Sequence, residues 1–133
     1  MPTLNGLFYA ERGEGPRALV CVHGAGGSHR HWGGLLAPLA PHARVIALDL
    51  PGHDRSAPPP PATIAAHAEA LGAFTDALGL ERPLIAGHSM GAAVALELAA
   101  RAPARLGGLA LVGAAARLRV APWLIAGLAS DPA

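Results

Sequence analysis

The chain has 133 residues, of which 52% are hydrophobic and 14% are charged, and its formal net charge is +1. This length suits a single domain, and the apolar content excludes intrinsic disorder. The sequence contains no lysine, which excludes a Walker-type phosphate loop, a Schiff-base enzyme and a Ser–Lys dyad. The absence of a basic cluster excludes nucleic acid as a partner. The single cysteine, Cys21, excludes an intrachain disulfide and a four-cysteine zinc site.

Short apolar runs that suit strands alternate along the chain with longer segments of helical spacing. Predicted strands comprise residues 7–10, 18–22, 44–48, 83–86 and 109–112. Predicted helices include one that buries Trp32, Leu35, Leu36 and Leu39, a second over residues 64–78, and a third that begins at Met90 and ends before Pro103. The four prolines at 58–61 predict an extended loop.

The alternation of strands and helices predicts an α/β domain, in which helices cover both faces of a mostly parallel sheet. Strands 7–10 and 18–22 are expected to form a hairpin and to add antiparallel pairing at one edge. The first 15 residues lack the features of a signal peptide, and the longest apolar run, residues 106–116, is too short to span a membrane. We therefore expect a soluble, cytoplasmic protein with no membrane partner.

The strongest chemical signal is Gly87-His88-Ser89-Met90-Gly91, a G-x-S-x-G motif between a predicted strand and a predicted helix. In this context Ser89 would occupy a sharp turn that exposes its hydroxyl, and glycines on either side would let neighbouring backbone pass. We predict that Ser89 is a nucleophile and that the N–H of Met90 stabilises an oxyanion. His88 is expected to pack locally. The alternative is an ordinary strand-to-helix turn.

A second glycine-rich motif, His23-Gly24-Ala25-Gly26-Gly27, follows the first buried strand. The N–H of Ala25 is the candidate for the other oxyanion donor, and the ring of His23 is expected to organise this loop. A dinucleotide-binding loop is the competing interpretation, but that pattern requires glycine at position 29, where the chain has His29. The pair His29 and His31 is expected to be solvated rather than to bind a metal.

Three motifs in this order, at residues 23–27, 49–56 and 87–91, resemble those of the α/β-hydrolase fold enzymes, specifically the esterase-like serine hydrolases with a cap. The resemblance implies an α/β-hydrolase fold in which Ser89 is the nucleophile and Ala25 and Met90 are oxyanion donors. We expect no cofactor and no metal. The supporting residues are then His23, Gly24, Gly87, His88 and Gly91.

One position departs from the family motif, and another indicates which branch of the family the chain resembles. The middle motif usually reads D-x-P-G-x-G-x-S, but Asp54 replaces its second glycine. We expect a left-handed backbone at this position, which aspartate tolerates better than most residues. Ser89 argues against the epoxide-hydrolase and dehalogenase branches, since those enzymes have an aspartate nucleophile at this position.

The resemblance also implies a Ser, acid, His order along the chain, yet all seven histidines precede Ser89, and Asp131 is the only acidic residue after Glu97. We therefore expect residues 1–115 to form the N-terminal part of the hydrolase core and residues 116–133 to begin a cap. The C-terminal strands, most of the cap and the triad acid and base would then be missing, and the chain would be inactive as given.

The predicted function is hydrolysis of small carboxylic esters or related acyl compounds. The alternative from another class is a non-catalytic, truncated or partner-dependent module that self-associates through the exposed sheet edge at residues 109–112. Within the family, a cofactor-free haloperoxidase, a C–C bond hydrolase and an acyltransferase remain open.

Overall fold

The structure, a computed structural model that describes residues 2–113, is built around a six-stranded mixed sheet. Its strands are β1 (Thr3–Leu4), β2 (Leu7–Arg12), β3 (Ala18–Val22), β4 (Arg44–Leu48), β5 (Leu84–His88) and β6 (Gly108–Val112). Its helices are α1 (Gly33–Leu39), α2 (Ile64–Ala77) and α3 (Met90–Arg101), with short 3-10 turns at His29–Trp32 and Pro103–Arg105.

The strand order is β1-β2-β4-β3-β5-β6, and β3, β4, β5 and β6 are parallel to their neighbours in this group. Successive side chains of a strand point to opposite faces, so each central strand contributes to two cores. Ile46 and Ile85 belong to the larger core, beneath α2 and α3. Val45 and Ala86 belong to the smaller core, beneath Trp32 and α1. The predicted α/β architecture, with helices on both faces of a mainly parallel sheet, is confirmed.

The prediction that strands 7–10 and 18–22 form a hairpin is wrong. Strand β2 pairs antiparallel with β4, and β3 lies on the far side of β4. The connection between β2 and β3 therefore crosses the end of β4, and Gly13 makes this crossing possible. It has a φ of 88°, and a Cβ atom here would collide with the backbone carbonyl of Ala43. The antiparallel pairing is indeed at one edge, where β1 and β2 form a short hairpin.

The helices begin and end where local chemistry allows. Thr63 caps α2, because its hydroxyl oxygen accepts a hydrogen bond from the N–H of Ala66 at 3.1 Å. Helix α3 begins at Met90 and ends at Arg101, before Pro103, as the sequence predicts. The four prolines lie outside regular secondary structure.

The first helix departs from the sequence-based expectation in one side chain. Leu36 is buried as expected, but Leu35 is 44% exposed. Helix α1 packs against β4 and β2, so it leaves this side of β5 and β6 uncovered.

The expectation that residues 116–133 begin a cap concerns positions outside the described residues. None of the helices in residues 2–113 combines the length and the apolar character needed to cross a membrane.

Candidate active site

Ser89 lies in the sharp turn between β5 and α3, at the carboxyl end of the parallel strands. Its backbone has φ 54° and ψ −114°, a combination that costs a non-glycine residue roughly 1–3 kcal/mol. The N–H of Ser89 donates to the carbonyl of Val112 at 2.9 Å, and its own carbonyl accepts from the N–H of Ala92 at 2.9 Å. The turn is therefore held from β6 on one side and from the first turn of α3 on the other.

The two glycines of the motif are required by close backbone contacts. A Cβ at Gly87 would collide with the carbonyl oxygen of Gly91, the second residue of α3. A Cβ at Gly91 would collide with the carbonyl oxygen of Val22, at the end of β3. The strained turn at Ser89 is therefore flanked by two positions, 87 and 91, at which neighbouring backbone approaches too closely to allow a side chain.

The glycine-rich loop after β3 lies directly against Ser89. A Cβ built on Gly24 would stand 3.3 Å from the Cβ of Ser89 and 3.3 Å from the carbonyl oxygen of His88. The loop closes on itself, because the N–H of Gly27 donates to the carbonyl of Gly24 at 3.0 Å. Ala25 is exposed at its tip, so the residues at 24–27 and 87–91 meet at one end of the sheet.

His23 anchors this loop and has both ring nitrogens occupied. Its Nε2 accepts a hydrogen bond from the N–H of Leu50 at 2.9 Å, and its Nδ1 lies 2.7 Å from the carbonyl oxygen of Gly24. Because a backbone N–H only donates, Nε2 carries no proton and Nδ1–H donates to Gly24. Burial lowers the pKa of His23, which favours this neutral form. His23 therefore has no free nitrogen with which to act as a base.

Asp49 organises the segment between β4 and α2, a role that the sequence analysis did not assign. Its fully buried carboxylate accepts the N–H of His29 at 2.7 Å, the His29 Nδ1–H at 2.8 Å and the N–H of Arg55 at 3.1 Å. The hydroxyl of Ser56 donates to the carbonyl of Asp49 at 2.6 Å and accepts from the N–H of Phe8 at 2.9 Å. The D-x-P-G motif thus ties β2 to the turn that follows the glycine-rich loop.

Asp54 has a φ of 40°, so the left-handed backbone expected at this position is confirmed. Its carboxylate pairs with Arg30 at 2.6 Å and lies 3.8 Å from Nδ1 of His29. The potential ligand atoms of His29, Asp49 and Asp54 lie within 4.8 Å of one another. Protein donors already bind both carboxylates, so we interpret this cluster as a hydrogen-bonded ion-pair network. The ring of His31 instead packs against Gly27.

Three histidine rings lie together beside the site, tilted or edge-on to one another. The ring of His53 lies 5.0 Å from that of His23 and 6.2 Å from that of His67, between centroids. His67 is buried, its Nδ1 has no hydrogen-bond partner among the described residues, and burial lowers its pKa. His53 contacts these two rings, while the neighbouring Asp54 pairs with Arg30.

A mainly apolar groove of about 390 Å³ opens on the other side of the turn. Its lining comprises His31, Trp32, Leu35, His88 and Val112. The indole Nε1 of Trp32, one of these lining residues, is buried and has no hydrogen-bond partner among residues 2–113. The groove lies on the side of β5 and β6 that α1 leaves uncovered.

Comparisons with known proteins agree with this geometry. A family model described as the α/β hydrolase fold matches residues 17–132. The chain is 43% identical over 105 residues to the dihydrolipoyllysine-residue acetyltransferase component of the acetoin cleaving system of Cupriavidus necator, an alignment that covers 78% of this chain and 28% of that protein. It is 39% identical over 113 residues to the 2-hydroxy-6-oxononadienedioate/2-hydroxy-6-oxononatrienedioate hydrolase 2 of Pseudomonas putida, covering 80% and 40% of the two chains.

Among solved structures, an esterase from a marine microorganism superposes with a TM-score of 0.82 at 28% identity, covering 91% of this chain and 47% of that one. The chain therefore spans about half the length of this structure and less than half the length of the two sequence relatives. The family match, the sheet order and the strained Ser89 turn lead to one conclusion: the chain belongs to the α/β hydrolase fold family.

Proposed function

We propose that this chain carries the nucleophile and the oxyanion-binding loop of a serine hydrolase that acts on carboxylic esters or related acyl compounds. The observation that carries the proposal is the backbone of Ser89, with φ 54° and ψ −114°. Strain of this size persists only where the surroundings enforce it, and it is concentrated at functional sites. At Ser89 the backbone is held by close contacts at Gly87 and Gly91, where any side chain would collide with neighbouring backbone.

In the proposed reaction the Oγ of Ser89 attacks the carbonyl carbon of the ester, and its proton passes to a base. The developing oxyanion is bound by the N–H groups of Ala25 and Met90. Met90 is the first residue of α3, so its N–H has no partner within the helix, and the positive end of the helix dipole points toward the new charge. The tetrahedral intermediate expels the alcohol, which takes up the proton, and water then hydrolyses the acyl-serine.

The base and its orienting carboxylate are proposed to come from polypeptide outside these 133 residues. All seven histidines precede Ser89. Among residues 2–113, the hydrogen-bonded nitrogens of His23, His29 and His53 face partners other than Ser89. A serine hydroxyl without a base is a weak nucleophile, so we expect the 133-residue chain alone to turn over esters at or near the background rate.

Hydrolysis of a carbon–carbon bond is the second candidate. It is favoured by the 39% identity to the Pseudomonas putida hydrolase named above. The same serine and the same oxyanion donors would serve, with a carbon leaving group in place of the alcohol.

Chemical rescue with imidazole tests the proposal on the chain as it is. The chain is incubated with p-nitrophenyl acetate and imidazole as an external base, and acetylated serines are located by peptide mass mapping. We expect acetylation at Ser89 that rises with imidazole and is lost in Ser89→Ala, while Ser130→Ala, the matched control, retains it. Acetyl groups spread evenly over Ser28, Ser56, Ser89 and Ser130 would contradict the proposal and favour the non-catalytic module.

A further inference from the structure

The tip of the glycine-rich loop, at Ala25 and Gly26, takes its position from the two ends of the loop. Ala25 is exposed, and a Cβ on Gly26 would have no atom within 4 Å. Neither residue takes part in a backbone hydrogen bond among residues 2–113. The position of the Ala25 N–H, the oxyanion donor proposed above, therefore depends on what fixes His23 before the tip and Gly27 after it.

Two consecutive residues that follow β4 bind both ends of this loop. Strands β3 and β4 are parallel neighbours, so the segments that follow them emerge side by side. The N–H of Leu50 donates to Nε2 of His23 at 2.9 Å, where the loop begins. Oδ1 of Asp49 accepts the N–H and the Nδ1–H of His29 at 2.7 and 2.8 Å, two residues after the loop. Asp49 and Leu50 are fully buried, so the loop is held at both ends from the interior of the protein.

The turn that carries His29 is compact, and it continues directly into the loop. The carbonyl of Ser28 accepts the N–H of His31 at 3.1 Å. A Cβ on Gly27 would stand 2.8 Å from two ring atoms of His31, so the backbone of Gly27 lies against that ring. A change in the position of His29 should therefore also move the end of the loop.

We propose that Asp49 and His29 are positioning residues, which place the N–H of Ala25 for oxyanion binding. The inference rests on the proposed function, because it concerns one of the two oxyanion donors named there. Such a donor must lie about 2.7–3.1 Å from the oxyanion, and a hydrogen bond weakens steeply as the donor turns away from the acceptor. The other donor, Met90, is fixed separately as the first residue of α3. Loss of the contact between Asp49 and His29 should therefore affect one donor and not the other.

Substitutions at His29 separate the hydrogen bond from the packing of the ring, which lies 4.9 Å from the ring of Phe8 between centroids. His29→Asn retains an N–H donor near the position of Nδ1 and loses the ring. His29→Phe retains a ring beside Phe8 and loses the donor. Both variants keep the backbone N–H that Asp49 accepts, whereas Asp49→Ala would also release the N–H of Arg55. His42→Phe, at an exposed histidine, is the matched control.

Reaction with an alkyl fluorophosphonate, with imidazole as external base, tests the proposal on the whole chain. Mass spectrometry follows the rate of modification at Ser89, and ¹H–¹⁵N spectra record the amide signals before and after it. In His29→Phe we expect the rate to fall about tenfold or more, because one donor is misplaced. The downfield movement of the Ala25 amide should shrink, while Met90 keeps its own. His29→Asn and His42→Phe should match the parent.

The outcomes distinguish the positioning role from the proposed function. A His29→Phe chain with the parent's rate and the parent's Ala25 signal would overturn the positioning role alone. Equal losses at Ala25 and Met90, or loss of the folded state, would show a general structural effect and would also overturn it. A His29→Asn chain as impaired as His29→Phe would do the same, since the ring would then matter rather than the hydrogen bond. Failure of the parent chain to form an adduct at Ser89 would contradict the proposed function, and the positioning role with it.

Discussion

Alanine substitutions at two helical glycines test whether close backbone contacts enforce the turn at Ser89. The same substitution should lower the free energy of unfolding at one position and raise it at the other. Gly91 lies in α3 and Gly34 lies in α1. In an ordinary helix, replacement of glycine by alanine stabilises by about 0.5–1 kcal/mol. A Cβ at Gly34 has no atom within 4 Å, whereas a Cβ at Gly91 collides with the carbonyl oxygen of Val22 and lies 2.5 Å from that of His23.

The magnitude for Gly91→Ala follows from these contacts. Overpacking costs about 1–3 kcal/mol, and the upper end applies here, because the obstacles are backbone carbonyls of the central strand rather than flexible side chains. After subtraction of the helix preference, we expect a net loss of about 2 kcal/mol in the free energy of unfolding. Gly34→Ala should gain about 0.5–1 kcal/mol.

Urea denaturation, monitored by circular dichroism, compares both variants with the parent chain. The urea concentration at the transition midpoint reports stability as long as the m-value is unchanged. The expected order of midpoints is Gly34→Ala, parent, Gly91→Ala. A Gly91→Ala chain as stable as the parent would refute the argument that the turn is enforced by close backbone contact, and so would an equal loss in Gly34→Ala.

Three further substitutions or conditions probe the surrounding network. Burial lowers the pKa of His23 and His67, so the unfolded chain binds more protons below about pH 6.5, and urea midpoints should be highest above that pH and fall as the pH drops through it. Asp49→Ala removes the buried acceptor of three partly buried donors, and we expect calorimetry to show a loss of about 2–3 kcal/mol. Asp54→Gly relieves a positive φ but removes the partner of Arg30. Since a surface ion pair is worth no more than about 1 kcal/mol, the melting temperature of this variant should stay close to that of the parent. A large drop in melting temperature would show that the ion pair outweighs the backbone strain.

The parts of the fold that the sequence predicts are those set by local patterns. The strand before Ser89, the sharp turn and the helix from Met90 to Arg101 follow from one apolar run, one glycine pair and one proline. The left-handed backbone at Asp54 was predictable for the same reason, since the motif normally has glycine there.

The remaining features depend on contacts between distant residues, which periodicity does not encode. The pairing of β2 with β4 rather than β3 depends on where the chain crosses at Gly13. The role of Asp49 was missed because its partner His29 lies 20 residues earlier in the chain. The exposure of Leu35 reflects which strands α1 covers, and a helical pattern alone cannot specify that.

The most direct test of the central claim is an NMR measurement on the phosphonylated chain. An alkyl fluorophosphonate, with imidazole as external base, is expected to attach to the Oγ of Ser89. The phosphonyl oxygen should then lie about 2.7–3.1 Å from the two oxyanion donors. The account predicts that the backbone amide signals of Ala25 and Met90 move downfield more than any others in the ¹H–¹⁵N spectrum. An adduct on a different residue, or an adduct on Ser89 that leaves these two amides unmoved, would contradict it.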